Sequence, residues 1–255
     1  MKLHLLFAFI LTSICLTNCN KSPSAVTKTG PDVYVCGYTN LTSAVYWKDG
    51  TQVILGNAYN TTDIALSGSD VYVVGNTGEA AIYWKNGAMV RLSNDPSYAN
   101  SIAVSGTDVY VCGYATINNS YVAAYWKNGQ IQSLGNIAHS SANAIVVVGS
   151  DVYVAGTAGQ NGSLAVYWKN GVEVPLENGV ANAITVVGTD VYVAGTTSGA
   201  VYWKNGQRVN LNDNSIDTNV VFTSATGIAV SGADVHVIGY VNEVSHRPTT
   251  SCPQI

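Results

Sequence analysis

Across residues 30–244 apolar side chains come in short runs, punctuated by Gly-Ser, Gly-Thr, Asn-Gly and Asp-Gly pairs. No stretch repeats its apolar positions with helical spacing, so the pattern predicts short β-strands joined by tight turns. One unit shows the reading. Ser101-Ile102-Ala103-Val104 forms a first strand, and Gly106-Thr107 a two-residue turn with Gly first, as a type II′ hairpin requires. Asp108 to Cys112 is the second strand and Ala123 to Lys127 the third. Asn128-Gly129 then makes a type I′ turn, because both residues tolerate positive φ, and Gln130 to Leu134 is the fourth strand.

This unit recurs. Asp-Val-Tyr-Val begins at Asp32, Asp70, Asp108, Asp151 and Asp190, and Asp-Val-His-Val at Asp234, at intervals of 38 to 44 residues. Tyr-Trp-Lys-(Asn or Asp)-Gly follows the first five, at Tyr46, Tyr83, Tyr125, Tyr167 and Tyr202. The first three strands of each unit are apolar on both faces and the fourth is more polar, which suits a sheet packed between neighbours with its last strand on the rim. The expected fold is all-β: a β-propeller of four-stranded antiparallel blades, six in number with the last incomplete. Either it closes an imperfect ring or it belongs to a longer one of six to eight blades.

Most repeated residues read as structural. The six aspartates are expected to accept from local backbone N–H groups at the hairpin ends. The Tyr-Trp pairs are expected to pack between blades, and each Lys beside a turn to sit on a solvated edge. Cys36 and Cys112 occupy one position of the repeat in blades a whole blade apart, too far for a disulfide, and read as small core residues. Cys252 has no evident partner.

The repeated part accounts for residues 30–244, and the rest of the chain differs from it. Lys2 and the apolar run Leu3 to Leu16 read as a signal peptide over residues 1–18. Leu16-Thr17-Asn18-Cys19 resembles the lipobox of bacterial lipoproteins, which makes Cys19 the lipidated residue. Asn18 stands where a small residue is usual. Residues 19–29 form a tether in which Ala25 to Thr29 can serve as a degenerate first strand, and residues 245–255 form an atypical tail. The protein is therefore expected to be exported, held to a bacterial cell envelope by a lipid anchor only, or secreted. With 10% charged residues and a formal net charge of −4, it offers no basic patch for nucleic acid.

The unit Ala-x-Tyr-Trp-Lys-Asn-Gly-x-x-Val-x-Leu, as in Ala200 to Leu211, resembles the HAF-type repeats of bacterial extracellular propellers. The resemblance covers about residues 30–240 and implies a secreted repeat protein; it brings no catalytic motif. The Asp-Val-Tyr-Val portion departs from it.

Catalytic or metal-binding spacing is hard to find. His139, His236 and His246 are dispersed. Asp213 and Asp217 alternate oxygen ligands in Asp213-Asn214-Ser215-Ile216-Asp217, a weak calcium candidate that lacks the Gly and distal Glu of an EF-hand. Glu79, Glu173 and Glu177 could supply a glycosidase-like pair, though no spacing requires it. The connections after the second and fourth strands vary in length, whereas the hairpin turns at the other end do not. Variable loops on a rigid scaffold are where binding lives. The expected function is thus a non-catalytic binding module, a monomer without cofactor, taking an extracellular protein or glycan. Its loops carry Tyr59, Tyr98, Asn118, Asn119, Tyr121, His139, Asn161 and the Asn212 to Ser224 connection. The alternative is a propeller enzyme acting on extracellular glycans, a hydrolase or lyase.

Overall fold

The computed structural model describes residues 30–39, 43–135, 138–159, 163–211 and 220–243. The signal segment, Cys19, the tether, Asn161, Asp213, Asp217 and the tail lie outside them. The described residues form 21 strands and no helix. Sheet 1 holds β1 (Tyr34–Thr39), β2 (Ser43–Lys48) and β3 (Thr51–Asn57). Sheet 2 holds β4 (Asn60–Ser67), β5 (Asp70–Asn76), β6 (Ala81–Lys85) and β7 (Ala88–Arg91). Sheet 3 holds β8 (Ser97–Ser105), β9 (Asp108–Ile117), β10 (Ser120–Lys127) and β11 (Gln130–Ser133). Sheet 4 holds β12 (Ser141–Val148), β13 (Asp151–Ala158), β14 (Leu164–Lys169) and β15 (Val172–Asn178). Sheet 5 holds β16 (Val180–Val187), β17 (Asp190–Thr196), β18 (Ala200–Lys204) and β19 (Gln207–Asn210). Sheet 6 holds β20 (Val220–Ser231) and β21 (Asp234–Glu243). Every sheet is an antiparallel meander in chain order.

The turn chemistry predicted from the sequence is present. The Asn or Asp before each Gly has φ between 50° and 52° at Asn86, Asn128, Asn170 and Asn205 and 51° at Asp49, and the Gly that follows has φ between 79° and 85°. Left-handed values at both central residues give the type I′ turn its twist. Gly68, Gly106, Gly149, Gly188 and Gly232, at the other hairpin, have φ of 60° to 62°.

Antiparallel pairing sets these two turns side by side at one end of the sheet, and a clasp forms between them. In sheet 3 the Asn128 amide donates to Asp108 Oδ1 at 2.8 Å, while Asn128 Oδ1 accepts from the Val109 N–H at 2.9 Å. Lys127 Nζ lies 2.9 Å from Asp108 Oδ2 and 5.2 Å from the centre of the Tyr110 ring, whose hydroxyl donates to the same carboxylate at 3.4 Å. Sheets 2, 4 and 5 repeat this geometry, and in sheet 1 the Asp49 carboxylate accepts from the Val33 N–H while Lys48 pairs with Asp32. The expected role of the aspartates is therefore corrected. The turn Asn satisfies the backbone N–H, and the Asp binds side chains, because it begins the second strand and faces the neighbouring turn.

At the opposite end each inner strand carries a bulge. Pairing skips Thr62, Asn100, Asn143, Asn182 and Thr226. A bulge turns its side chain out of the ladder, and here the freed group reaches the next sheet: Thr62 donates to the Ala99 carbonyl at 2.9 Å, Asn100 to Ala142 at 2.8 Å, Asn143 to Ala181 at 2.9 Å and Asn182 to Ala225 at 2.8 Å. The bulge also presses a carbonyl onto the second strand. A Cβ at Gly113 would meet the Tyr98 carbonyl at 1.8 Å, so this extended position requires Gly.

Consecutive sheets share their cores. Trp126 of sheet 3 packs among Tyr72, Val74, Ala81 and Leu92 of sheet 2, and Trp168 of sheet 4 among Cys112, Ala123 and Leu134 of sheet 3. Trp84 and Trp203 do the same one sheet earlier and later, and all four are 1% exposed. The expected packing role of the Trp residues holds. Each Trp faces the preceding sheet; Trp47, whose sheet is the first described, is only half-buried. The second strands of sheets 2 to 5 are nearly all buried, while β7, β11 and β19 are exposed throughout, in line with the polar fourth strand.

Candidate functional site

At the bulged end, one pair of cross-strand positions differs from sheet to sheet. It holds Asn60 and Asn76 in sheet 2, Tyr98 and Tyr114 in sheet 3, Ser141 and Thr157 in sheet 4, Val180 and Thr196 in sheet 5, and Ser224 and Tyr240 in sheet 6. In sheet 3 the two tyrosines stack with ring centres 5.6 Å apart and planes 10° from parallel. Tyr121, two residues along β10, sets its ring edge-on to Tyr114 at 5.1 Å and 66°. Tyr98 and Tyr114 are half-buried and Tyr121 is 49% exposed, so the cluster offers rigid aromatic area to solvent.

Amides brace this cluster. Asn60 donates to the Tyr98 hydroxyl at 2.5 Å and accepts from Asn76 at 3.1 Å. Asn76 is buried and closes on the Ala99 backbone, accepting from its N–H at 2.7 Å and donating to its carbonyl at 3.1 Å. Burial first, then the neighbouring Tyr98 and Tyr121, pushes the Tyr114 phenol above its ordinary range, so it stays a neutral hydroxyl.

The residues singled out from the sequence fall in three groups. Tyr98 and Tyr121 are brought together, but on strands; the loop predicted between Gly113 and Ala123 is mostly ladder. Asn118 and Asn119 take φ of 49° and 62° and close a two-residue hairpin, which lets β9 and β10 run up to it. Asn118 also lines a shallow hollow of about 90 Å³ with Ile117, Ser120, Val122 and Ala138. Beside it, the His139 N–H donates to the Tyr121 carbonyl at 2.8 Å, and the imidazole is exposed. Tyr59, 68% exposed, sits at the corresponding end of sheet 2, where its N–H donates to the Asn76 carbonyl at 2.7 Å. The remaining three, Asn161, Asp213 and Asp217, lie outside the described residues. Tyr114 went unnoticed in the sequence. Its signal was the position just after the Gly of each second strand, which varies as Tyr38, Asn76, Tyr114, Thr157, Thr196 and Tyr240 amid repeated neighbours.

Other reactive groups are tied into structure. Asp63 is half-buried in β4 and accepts from the Ser101 hydroxyl at 2.7 Å and from the Ile64 and Ile102 N–H groups at 2.8 and 3.0 Å. Burial raises its carboxyl above the usual range. Cys36 and Cys112 are both free thiols, and burial, with Asp63 adding to it, pushes Cys36 up to about 11 and Cys112 well above its ordinary value. Neither is a thiolate at neutral pH. Glu177 holds Arg208 at 2.9 Å and accepts from the Trp203 indole at 2.8 Å. Among the described residues no three His, Cys, Asp or Glu side chains gather as metal ligands.

Fold and surface together define a repeat protein of antiparallel sheets with one uniform and one variable end. The chain matches no family model and no curated protein sequence.

Proposed function

We propose that this chain is a non-catalytic binding module whose sheets are the blades of a β-propeller, and that Tyr98, Tyr114 and Tyr121 form its contact surface for an extracellular protein or glycan. The observation that carries the reading is the tyrosine cluster itself: three rings held by stacking and by an amide network, partly open to solvent. Tyrosine with neighbouring Asn and Ser gives rigid contact area and adaptable hydrogen bonding, the mixture that binding loops use. The propeller reading is supported by the order of packing, since the inner strands β4, β8, β12, β16 and β20 follow one another as neighbours. Kinship with HAF-type repeats belongs to the same proposal.

An array of glycans and extracellular proteins, probed with the chain from residue 19 onward, supplies the ligand. Tyr121→Ala and Tyr98→Ala should each weaken binding about tenfold or more, whereas Lys85→Ala and Lys169→Ala at the clasp end should leave it unchanged. The reverse pattern places the function at the wrong end. Export with lipid attachment at Cys19 completes the proposal. Cys19→Ser should move the protein from the membrane pellet to the soluble fraction, and unchanged pelleting refutes that part.

A further inference from the structure

The tyrosine cluster of sheet 3 continues into sheet 2. Tyr59 precedes Asn60, whose amide donates to the Tyr98 hydroxyl, so Tyr59, Tyr98, Tyr114 and Tyr121 form a row at the bulged ends of two neighbouring sheets. Tyr59 and Tyr121 are its open members, 68% and 49% exposed. The rings of Tyr98, Tyr114 and Tyr121 pack on one another, with centres 5.6 and 5.1 Å apart, so they make a platform and enclose no box. No positive group borders this row among the described residues. Five of their seven Lys and Arg side chains sit in the clasps at the other end, each paired with its Asp. Arg208 pairs with Glu177 between sheets 4 and 5, and the Arg91 Nε donates to the Ser93 carbonyl on the rim of sheet 2. The charged residues beside Tyr98 are acidic: Asp95, exposed, and Glu79, exposed, whose carbonyl accepts from the Ser97 N–H at 3.2 Å.

We infer that this row binds a neutral glycan chain, with one uncharged sugar unit stacked on Tyr121 and a later unit of the same chain on Tyr59. The inference rests on the reading of the cluster as a contact surface and narrows its ligand. A pyranose turns a face of C–H groups outward, weakly positive toward the negative face of an aromatic ring. Its rim of hydroxyls both donates and accepts, as do the amides of Asn118 and Asn119, exposed in the hairpin turn just before Tyr121. An anionic glycan would bring its charges to a surface with two acids and no cation to receive them. A quaternary ammonium group asks for rings around it, and these rings pack against each other. A protein partner of ordinary size covers about 800 Å² on each side, whereas one half-open ring with its flanking amides has the scale of a sugar unit. Packed sheets lie about 10 Å apart, so a chain of several units reaches both open tyrosines and a short one does not.

The test is calorimetric titration of the chain from residue 19 onward with neutral hexasaccharides of glucose, mannose, galactose, xylose and N-acetylglucosamine, and with hexagalacturonic acid. Saturable binding of at least one neutral hexasaccharide is expected, and none of the acid. The disaccharide of the same sugar should bind about tenfold more weakly or worse. Tyr121→Ala should weaken the hexasaccharide about tenfold or more, while Tyr121→Phe, which keeps the ring face, should retain most of the affinity. Tyr59→Ala should weaken the hexasaccharide and leave the disaccharide as it was. Both positions are exposed, so circular dichroism should not change. Failure of every neutral hexasaccharide to bind the folded chain overturns the inference, as does tighter binding of hexagalacturonic acid. Equal affinities for disaccharide and hexasaccharide, or indifference to Tyr59→Ala, overturn it as well. A protein ligand whose binding falls with Tyr121→Ala overturns it but leaves the cluster as the contact surface. Hexasaccharide binding that ignores Tyr59→Ala, Tyr98→Ala and Tyr121→Ala alike overturns that reading too.

Discussion

The two ends of these sheets are built on opposite rules. At the clasp end, Asp, Tyr, Lys and a turn Asn or Asp recur in sheet after sheet at nearly identical distances. At the bulged end, one backbone geometry carries Asn-Asn, Tyr-Tyr, Ser-Thr, Val-Thr and Ser-Tyr at a single pair of positions. The difference lies in what does the holding. A type I′ turn restricts its own residues through φ, so the clasp end keeps the same side chains wherever it keeps the turn. The bulged end is held by carbonyls of neighbouring inner strands and by a Gly that clears them, which leaves the side chains beyond free to differ. A variable surface on a uniform scaffold follows from that division.

The comparison breaks most severely at the Gly. Gly113→Ala would put a Cβ 1.8 Å from the Tyr98 carbonyl and 2.8 Å from its carbon, and since both contacts are backbone, the bulge has to move. We expect this change to cost more than Trp126→Ala, which removes a fully buried indole from between sheets 2 and 3 and should cost ~3–5 kcal/mol. Tyr121→Ala, on the same sheet but half open, should cost only about 1 kcal/mol through its lost edge contact. Urea melts of the three variants check the order. If Tyr121→Ala were as damaging as Trp126→Ala, the aromatic cluster would be core and not a surface.

Much of this was legible in the sequence. Asn-Gly and Asp-Gly pairs fix the sign of φ, so five hairpins could be located to the residue, and the buried Trp followed from apolar residues on both faces of the third strand. What could not be read is long-range. Asn100 and Asn143 look like ordinary polar residues near a strand end, and only the bulge shows that they bond the next sheet. Asn118-Asn119 carries no Gly, so the local pattern reads as a loop where β9 and β10 pair up to a hairpin. Tyr98 and Tyr121 could be listed as loop residues, but their meeting through Tyr114 depends on a register that no local pattern sets. Local pattern points the Asp to its nearest backbone groups, because the neighbouring turn that it binds lies 15 to 20 residues away.

The smallest expected effect separates the two ends by pH. In the clasps of sheets 2 to 5 the turn Asn, and then the Lys, hold Asp70, Asp108, Asp151 and Asp190 below the usual carboxylate range. A lowered carboxyl adds stability that is complete above its unfolded pKa of about 3.9 and is lost as pH falls through the folded value. Asp63, near the bulged end, has the opposite sign: burial raises it, so its contribution is complete below the unfolded pKa and is lost as pH rises through the raised value. The clasp groups are solvated and salt screens them, so each should contribute little. Melting temperatures of the wild type, Asp108→Asn and Asp63→Asn, followed from about pH 3 to about pH 7, should therefore diverge in opposite directions. Asp108→Asn should fall behind the wild type only as pH rises through the acid range, and added salt should shrink the gap. Asp63→Asn loses one carboxylate acceptor and should start below the wild type at acid pH, then gain on it as pH rises, with little response to salt. Parallel curves for Asp63→Asn and the wild type would mean that the Asp63 carboxyl ionises as freely in the folded chain as in the unfolded one.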